Sequence, residues 1–332
     1  LPLTVVLLCG LARDWRWWGV ALVVALEAVV YPSAAALGVA LVGARLLRLD
    51  RWPPRFDLSR SAWVTFAACT VVCVVLLIPT VLGDTRFGPT VTADAARQMP
   101  EFGPNGRNAF FLPDAYAYWV TSYRSGFDLR VADARMPSIP IFYELLALAC
   151  AIVPAAWLGV RRREVLPLGP TLALVVQVLA ASVGLFVLAH LLLFRLYLPA
   201  RFVAWTVPLA LAIWAGVGIA ALLERATARL GLRCARIAVG GLAALLAVAL
   251  VLYPARFDGN FVRDRTPELT AYLRTLPPDT LVLAAPTDGD SVPAFAGRPV
   301  LVSREYALAY HLGFYRQVEQ RVRAAIDIYY SP

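Results

Sequence analysis

The chain alternates between long apolar runs and shorter polar stretches. An apolar run opens it, from Leu1 to Ala12, and reads as the tail of a membrane helix already under way. Trp17 to Ala44 is a run of 28 residues with Pro32 near its middle and Glu27 just before. Further runs follow at Ser61–Leu82, Ile139–Val160, Leu168–Leu193, Val203–Leu223 and Ile237–Tyr253. A bilayer core about 30 Å thick takes about 20 helical residues to cross. The pattern predicts an α-helical polytopic membrane protein of six full spans plus a partial one, followed by a small extracytoplasmic α/β domain. The expected organisation is membrane helices over 1–82, an outer loop with interfacial helices over 83–138, more membrane helices over 139–253, and the α/β domain over 254–332. In the 17–44 run, length and Pro32 predict a tilted or kinked helix, with two re-entrant halves as the alternative. The chain opens on Leu rather than Met, so the expectation is a fragment whose missing front can carry function.

Composition agrees with the pattern. Hydrophobic residues make up 60% of the chain and charged residues only 16%, where soluble domains carry about 25% charged residues. Every basic residue is Arg, 31 in all. The loops 45–60, 161–167 and 224–236 hold 12 Arg against 4 acids, a net of +8 out of +9 for the chain. By the positive-inside rule these loops are cytoplasmic. The loop 83–138, the Arg195–Arg201 turn and the tail then face outward. Because the excess charge is divided among short loops, it does not imply a nucleic-acid partner.

Local signals place elements outside the spans. Thr92 can cap a short helix through Met99, and Pro100 ends it. Seven of the 18 residues from Phe110 to Phe127 are aromatic. Asp114 can cap a helix on which Tyr116, Trp119, Tyr123 and Phe127 share a face, as suits the bilayer interface or packing on the tail. In the tail, Thr266-Pro267-Glu268 opens a helix. Leu281–Ala285 and Pro299–Val302 read as strands, Asp288-Gly289-Asp290 as a turn, and a last long helix as interrupted at Gly313.

The candidate chemistry centres on two charged types. Arg195 and Arg201 flank Pro199 in the tight connection between two spans. They either snorkel to lipid headgroups or clamp a phosphate or pyrophosphate, whose oxygens match a guanidinium bidentately. Glu27 is a carboxylate inside an apolar run: either a functional group or a residue facing a watery cleft or hydrogen-bonded to a neighbouring helix. Gln177 is the other deep polar residue. Cys9, Cys69, Cys73, Cys150 and Cys234 form no disulfide framework, and Cys69 and Cys73 read as small packing residues. His190 and His311 belong to no ligand motif. Asp288 and Asp290 offer only a weak metal pattern.

The layout resembles bacterial GT-C glycosyltransferases, polytopic enzymes that take a sugar from a polyprenyl-phosphate donor on the outer face. Long, partly helical outer loops, the Arg195-Leu196-Tyr197-Leu198-Pro199-Ala200-Arg201-Phe202 turn and the outward α/β tail carry the resemblance. The loop from Gly88-Pro89-Thr90-Val91-Thr92 to Phe111 is also similar to that of bacterial membrane proteins grouped there. The resemblance implies transfer of a sugar from a polyprenyl-phosphate donor to an envelope glycan, lipid or protein at the bacterial cytoplasmic (inner) membrane. It implies Arg195, Arg201, Arg107 and Tyr197 for substrate binding and a carboxylate base, with Asp94 and Glu101 as the outer candidates. No organic cofactor is implied, and a divalent metal stays open. In that family the catalytic acid usually stands in the first outer loop, which the short Arg13-Asp14-Trp15-Arg16 turn does not match. The alternatives are a non-catalytic membrane scaffold and a lipid or solute transporter.

Overall fold

A computed structural model describes residues 2–49, 54–82, 87–128, 170–196, 198–214 and 266–331, with a few isolated positions in 216–264. The chain is mostly helical with few strands. It divides into two units, 1–84 with 110–226, and 85–109 with 227–332.

In the first unit, α1 (Pro2–Ala12), α2 (Trp17–Val30) and α3 (Pro32–Ala44) pack with α4 (Arg60–Leu82) and α5 (Pro170–Leu191). Leu7, Val24, Leu41, Cys69 and Val175 are buried among them. α4 and α5 are the two described helices long and apolar enough to cross a membrane. At 1.5 Å per residue they reach about 35 and 33 Å. α4 leaves Val71, Val74, Val75 and Ile78 exposed. That spacing makes a continuous apolar stripe, which water disfavours and lipid tails accept.

The 17–44 run is not one tilted or kinked span. Tyr31, extended as a residue before proline tends to be, stands at φ −152° and ψ 90° between α2 and α3. The chain folds back there. A Cβ on Gly38 of α3 would lie 2.6 Å from Glu27 Oε2 and 3.3 Å from Val24, both on α2. Each arm is about 20 Å long, short of the bilayer core. The hairpin also returns to the end it left, since Arg45 Nη2 donates to the Leu11 carbonyl and reaches Asp14 Oδ1 at 3.3 Å. Arg13, Arg16 and Arg45 therefore share one end of the bundle, which carries the basic bias further. The 203–223 run is described as far as Trp214, helical over 206–214. The runs 139–160 and 237–253 lie outside the contiguous described residues.

Of the readings left open for Glu27, the structure shows a hydrogen bond to a neighbouring helix. The carboxylate is fully buried, and its Oε1 accepts from the Thr4 hydroxyl at 2.9 Å. Gln177 Nε2 donates to the Leu47 carbonyl at 2.8 Å, tying α5 to the loop that follows α3. The polar loop 45–60 folds into a two-residue ladder, β1 (Leu47–Arg48) with β2 (Arg55–Phe56). The aromatic helix forms only in part. Asp114 Oδ2 accepts from the Ala117 N–H at 2.6 Å, but the coil is a π-turn over Ala117–Thr121 and stops before Phe127.

In the second unit the 85–109 segment is built into the tail. Phe87–Val91 lies antiparallel to Tyr310–Phe314, with Val91 N–H donating to Tyr310, Leu312 to Pro89 and Phe314 to Phe87. Gly88 (φ +79°) permits the approach, since a Cβ there would lie 2.5 Å from the Gly313 nitrogen. α6 (Ala93–Gln98) has its Thr92 cap and is followed by a 3-10 turn at Pro100–Phe102. In the tail, α7 (Pro267–Thr275) packs with α9 (Ser291–Ala296), which in turn contacts α8 (Pro286–Gly289). The two expected strands shrink to one parallel bridge, Val282 to Val300, with α8 and α9 between them. The Asp288–Asp290 turn is instead the join of α8 and α9. The last helix, α10 (Leu312–Tyr330), is not interrupted at Gly313 but begins beside it, because Gly313 is where the Gly88 backbone passes.

Candidate functional site

The Arg195–Arg201 turn stands on a buried aromatic seat. α5 ends at Leu191, and Phe194, in the left-handed region at φ +65°, turns its ring inward. Its centroid lies 5.3 Å from that of the fully buried Phe110. His190 stacks at 4.9 Å on Trp119 and contacts Phe186 at 4.5 Å, and its Nδ1 pairs with the Phe186 carbonyl. Edge and tilted ring pairs at these distances add to burial. Pro199 then opens a 3-10 turn to Phe202, which is fully buried. The Ala200 N–H donates to the Arg124 carbonyl at 3.1 Å.

This scaffold fixes the backbone and leaves Arg195 and Arg201 exposed. The Arg201 guanidinium lies 5.6 Å from the centre of the Tyr31 ring, within cation–π reach. Tyr31 is the tip of the α2–α3 hairpin, so the hairpin tip and the arginine turn meet. Arg124 is buried, 4.3 Å over the Tyr123 ring, and Ser122 Oγ accepts from the N–H groups of Arg124 and Ser125. Tyr197 lies outside the described residues. Arg124 and Tyr31 were not legible as site residues: one lies in an aromatic run, the other within an apolar one.

The expected carboxylates separate. Asp94 is exposed in the first turn of α6, where a negative charge stabilises a helix start. Glu101 is half-buried in the second unit. The Tyr315 hydroxyl donates to its Oε1, and its Oε2 is buried with no hydrogen-bond partner among the described residues. The Asn108 N–H donates to the Glu101 carbonyl at 2.8 Å. Burial, and then the bond to Glu101, hold the Tyr315 hydroxyl above its ordinary range. It therefore stays a donor through neutral pH and orients one carboxylate oxygen.

Arg107 is held by its own unit. Its Nε donates to the Arg304 carbonyl at 2.6 Å and its Nη2 to Glu305 Oε2 at 3.0 Å. It ties the 85–109 segment to the tail. The structure thus groups Arg195 and Arg201 in the first unit and Glu101 and Arg107 in the second. Among the described residues no three His, Cys, Asp or Glu side chains gather as a metal site. Cys9, Cys69, Cys73 and Cys234 are free thiols, and Cys150 lies outside the described residues.

Comparison with known protein families, curated proteins and solved structures finds no match to this chain.

Proposed function

We propose that the chain is a membrane glycosyltransferase of the GT-C type, moving a sugar from a polyprenyl-phosphate donor to an envelope acceptor. On this reading α4, α5 and the runs 139–160, 203–223 and 237–253 cross the bacterial inner membrane. The α2–α3 hairpin enters and returns, and the second unit is extracytoplasmic.

The observation that carries the reading is Glu101, a carboxylate with one oxygen oriented by a tyrosine hydroxyl and the other buried with no hydrogen-bond partner among the described residues. Glu101 Oε2 takes the proton of the acceptor hydroxyl as that oxygen bonds to the anomeric carbon. The bond from the anomeric carbon to the phosphate oxygen breaks, and its electron pair leaves with the lipid phosphate. Arg195 and Arg201, in the first unit, supply exposed guanidinium groups of the kind that hold a lipid phosphate.

The test is transfer by the full chain in nanodiscs, from polyprenyl phosphates carrying a labelled hexose or pentose to envelope glycan acceptors. Glu101→Gln is expected to lower the rate by about 100-fold or more, in the range of general-base catalysis, without weakening donor binding. Full activity in that variant, or no transfer by the wild type from any of these donors, would move the reading to a scaffold.

A further inference from the structure

We infer that the start of α3, at the tip of the α2–α3 hairpin, is the seat of the phosphate group of a polyprenyl lipid, with Ser33 as its donor and Arg201 as its counter-charge. The inference deepens the proposed reading of the Pro199 turn and rests on it.

Three observations meet at this point. The first is an uncapped helix start. Tyr31 is the N-cap of α3 and makes no side-chain hydrogen bond there. The first amides of any helix lack intrahelical acceptors. In α3, Pro32 has no N–H, and Ala34 donates back to the Tyr31 carbonyl at 2.8 Å. The Ser33 N–H therefore remains as the first-turn donor, at the positive end of the helix dipole.

The second is Ser33 itself. It is 3% exposed, and its hydroxyl has no hydrogen-bond partner among the described residues. A buried hydroxyl left unpaired costs about 1–3 kcal/mol, and away from water that cost has no solvent relief. A hydroxyl and an amide on one residue, at a helix start, suit the oxygens of an anion.

The third is the cation beside it. α3 packs against the Pro199–Phe202 turn, and the Arg201 guanidinium rests on the exposed Tyr31 ring. The ring holds the cation at the hairpin tip without neutralising it, so the charge stays available to an arriving phosphate. Arg201 swings from the ring to the phosphate, and two phosphate oxygens accept from the guanidinium while a third accepts from Ser33. Half-helix starts that face anionic groups are a recurrent device where a membrane helix is interrupted.

The experiment is native mass spectrometry of the full chain in detergent. The probes are polyprenyl phosphate, the corresponding polyprenol, phosphatidylglycerol and inorganic phosphate. The wild type is expected to retain polyprenyl phosphate over the alcohol by at least about tenfold, one charge-assisted contact. Retention of phosphatidylglycerol at equal strength would assign the seat to bulk headgroups, and retention of inorganic phosphate alone to a free anion. Either result would overturn the assignment to a polyprenyl lipid.

Ser33→Ala and Arg201→Ala are each expected to weaken binding by about tenfold, the worth of one such hydrogen bond. Tyr31→Leu, which keeps the Ser33 donors, is expected to change it less. Thermal melting of each variant in detergent shows that the bundle stays folded. A folded Ser33→Ala variant that binds polyprenyl phosphate as the wild type does would overturn the seat while leaving the two arginines in place. Binding lost in Ser33→Ala with intact binding and no transfer in Glu101→Gln would support both readings separately. A chain that binds through Ser33 yet never transfers sugar, even unmutated, would keep the seat and refute the transferase.

Discussion

Arg107 and Arg201 carry the same side chain and the same sequence expectation, yet the two units treat them differently. Around Arg107 the partners are polar: a carbonyl, the Glu305 carboxylate and, through Glu305, the Asp290 side chain. Around Arg201 they are aromatic and apolar: the Tyr31 face, the buried Phe202, and a backbone tied to Arg124. An arginine paired with an acid is a fastener. An arginine resting on a ring keeps its charge for something else. Spacing cannot separate the two, because the deciding partners lie about 200 residues away in one case and about 170 in the other.

The strongest way to break the comparison is to remove the aromatic seat. Phe110→Ala deletes a fully buried ring that packs on Phe194 and Tyr118. It is expected to destabilise the first unit by about 3–5 kcal/mol, read as a lower melting temperature in detergent. Stability within experimental error of the wild type would mean that the seat does not hold the turn.

Next comes the contrast itself. Arg107→Ala is expected to cost about 1–2 kcal/mol, because it removes a charge-assisted bond to a carbonyl from a largely shielded guanidinium. The exposed Glu305 end adds little. Arg201→Ala is expected to leave stability within about 0.5 kcal/mol, as at exposed sites. Proteolysis of the 85–109 segment checks the first and melting the second. Equal effects would erase the distinction between fastener and free cation.

Tyr315→Phe is expected to cost about 1 kcal/mol, one buried hydrogen bond. It also changes the response to alkali. The folded hydroxyl ionises above its unfolded value, near 10. Its contribution is therefore complete below about pH 10 and is lost as pH rises toward the folded value. The wild type should lose stability in that alkaline window more steeply than Tyr315→Phe, and parallel curves would mean that the hydroxyl does not face Glu101.

The smallest effect expected is at Asp57. Its carboxylate accepts from the Ser59 N–H at 2.9 Å and lies 3.5 Å from Arg48, and the Ser59 bond is the main reason it is held below its ordinary range. Its contribution is present above about pH 4 and lost as pH falls through the folded value. Asp57→Asn should cost a few tenths of a kcal/mol at neutral pH, as surface pairs do, and flatten the acid side of the stability curve.

Several local features were legible because they depend on near neighbours. The Thr92 cap, the Pro100 stop, the helix opened by Pro267 and the two long apolar helices follow from capping chemistry, proline geometry and run length. Glu101 was picked out only as one of two outer carboxylates. Its significance comes from Tyr315, 214 residues later. The 17–44 run shows the boundary most clearly. Its length and Pro32 left a kinked span and two re-entrant halves both open. The choice was made by packing across the fold, where Gly38 leaves room for Glu27 and Thr4 hydrogen-bonds the acid from α1.

From residue order alone come the apolar runs, the basic loops of one sign, the caps and the stops, since each rests on contacts a few residues apart or on a sum along the chain. Only the tertiary structure decided that a 28-residue run returns on itself, that the 85–109 loop is a strand partner of the tail, and that Arg107 and Arg201 part ways. Those outcomes depend on close approach and pairing between distant residues, and local order along the chain carries no record of them.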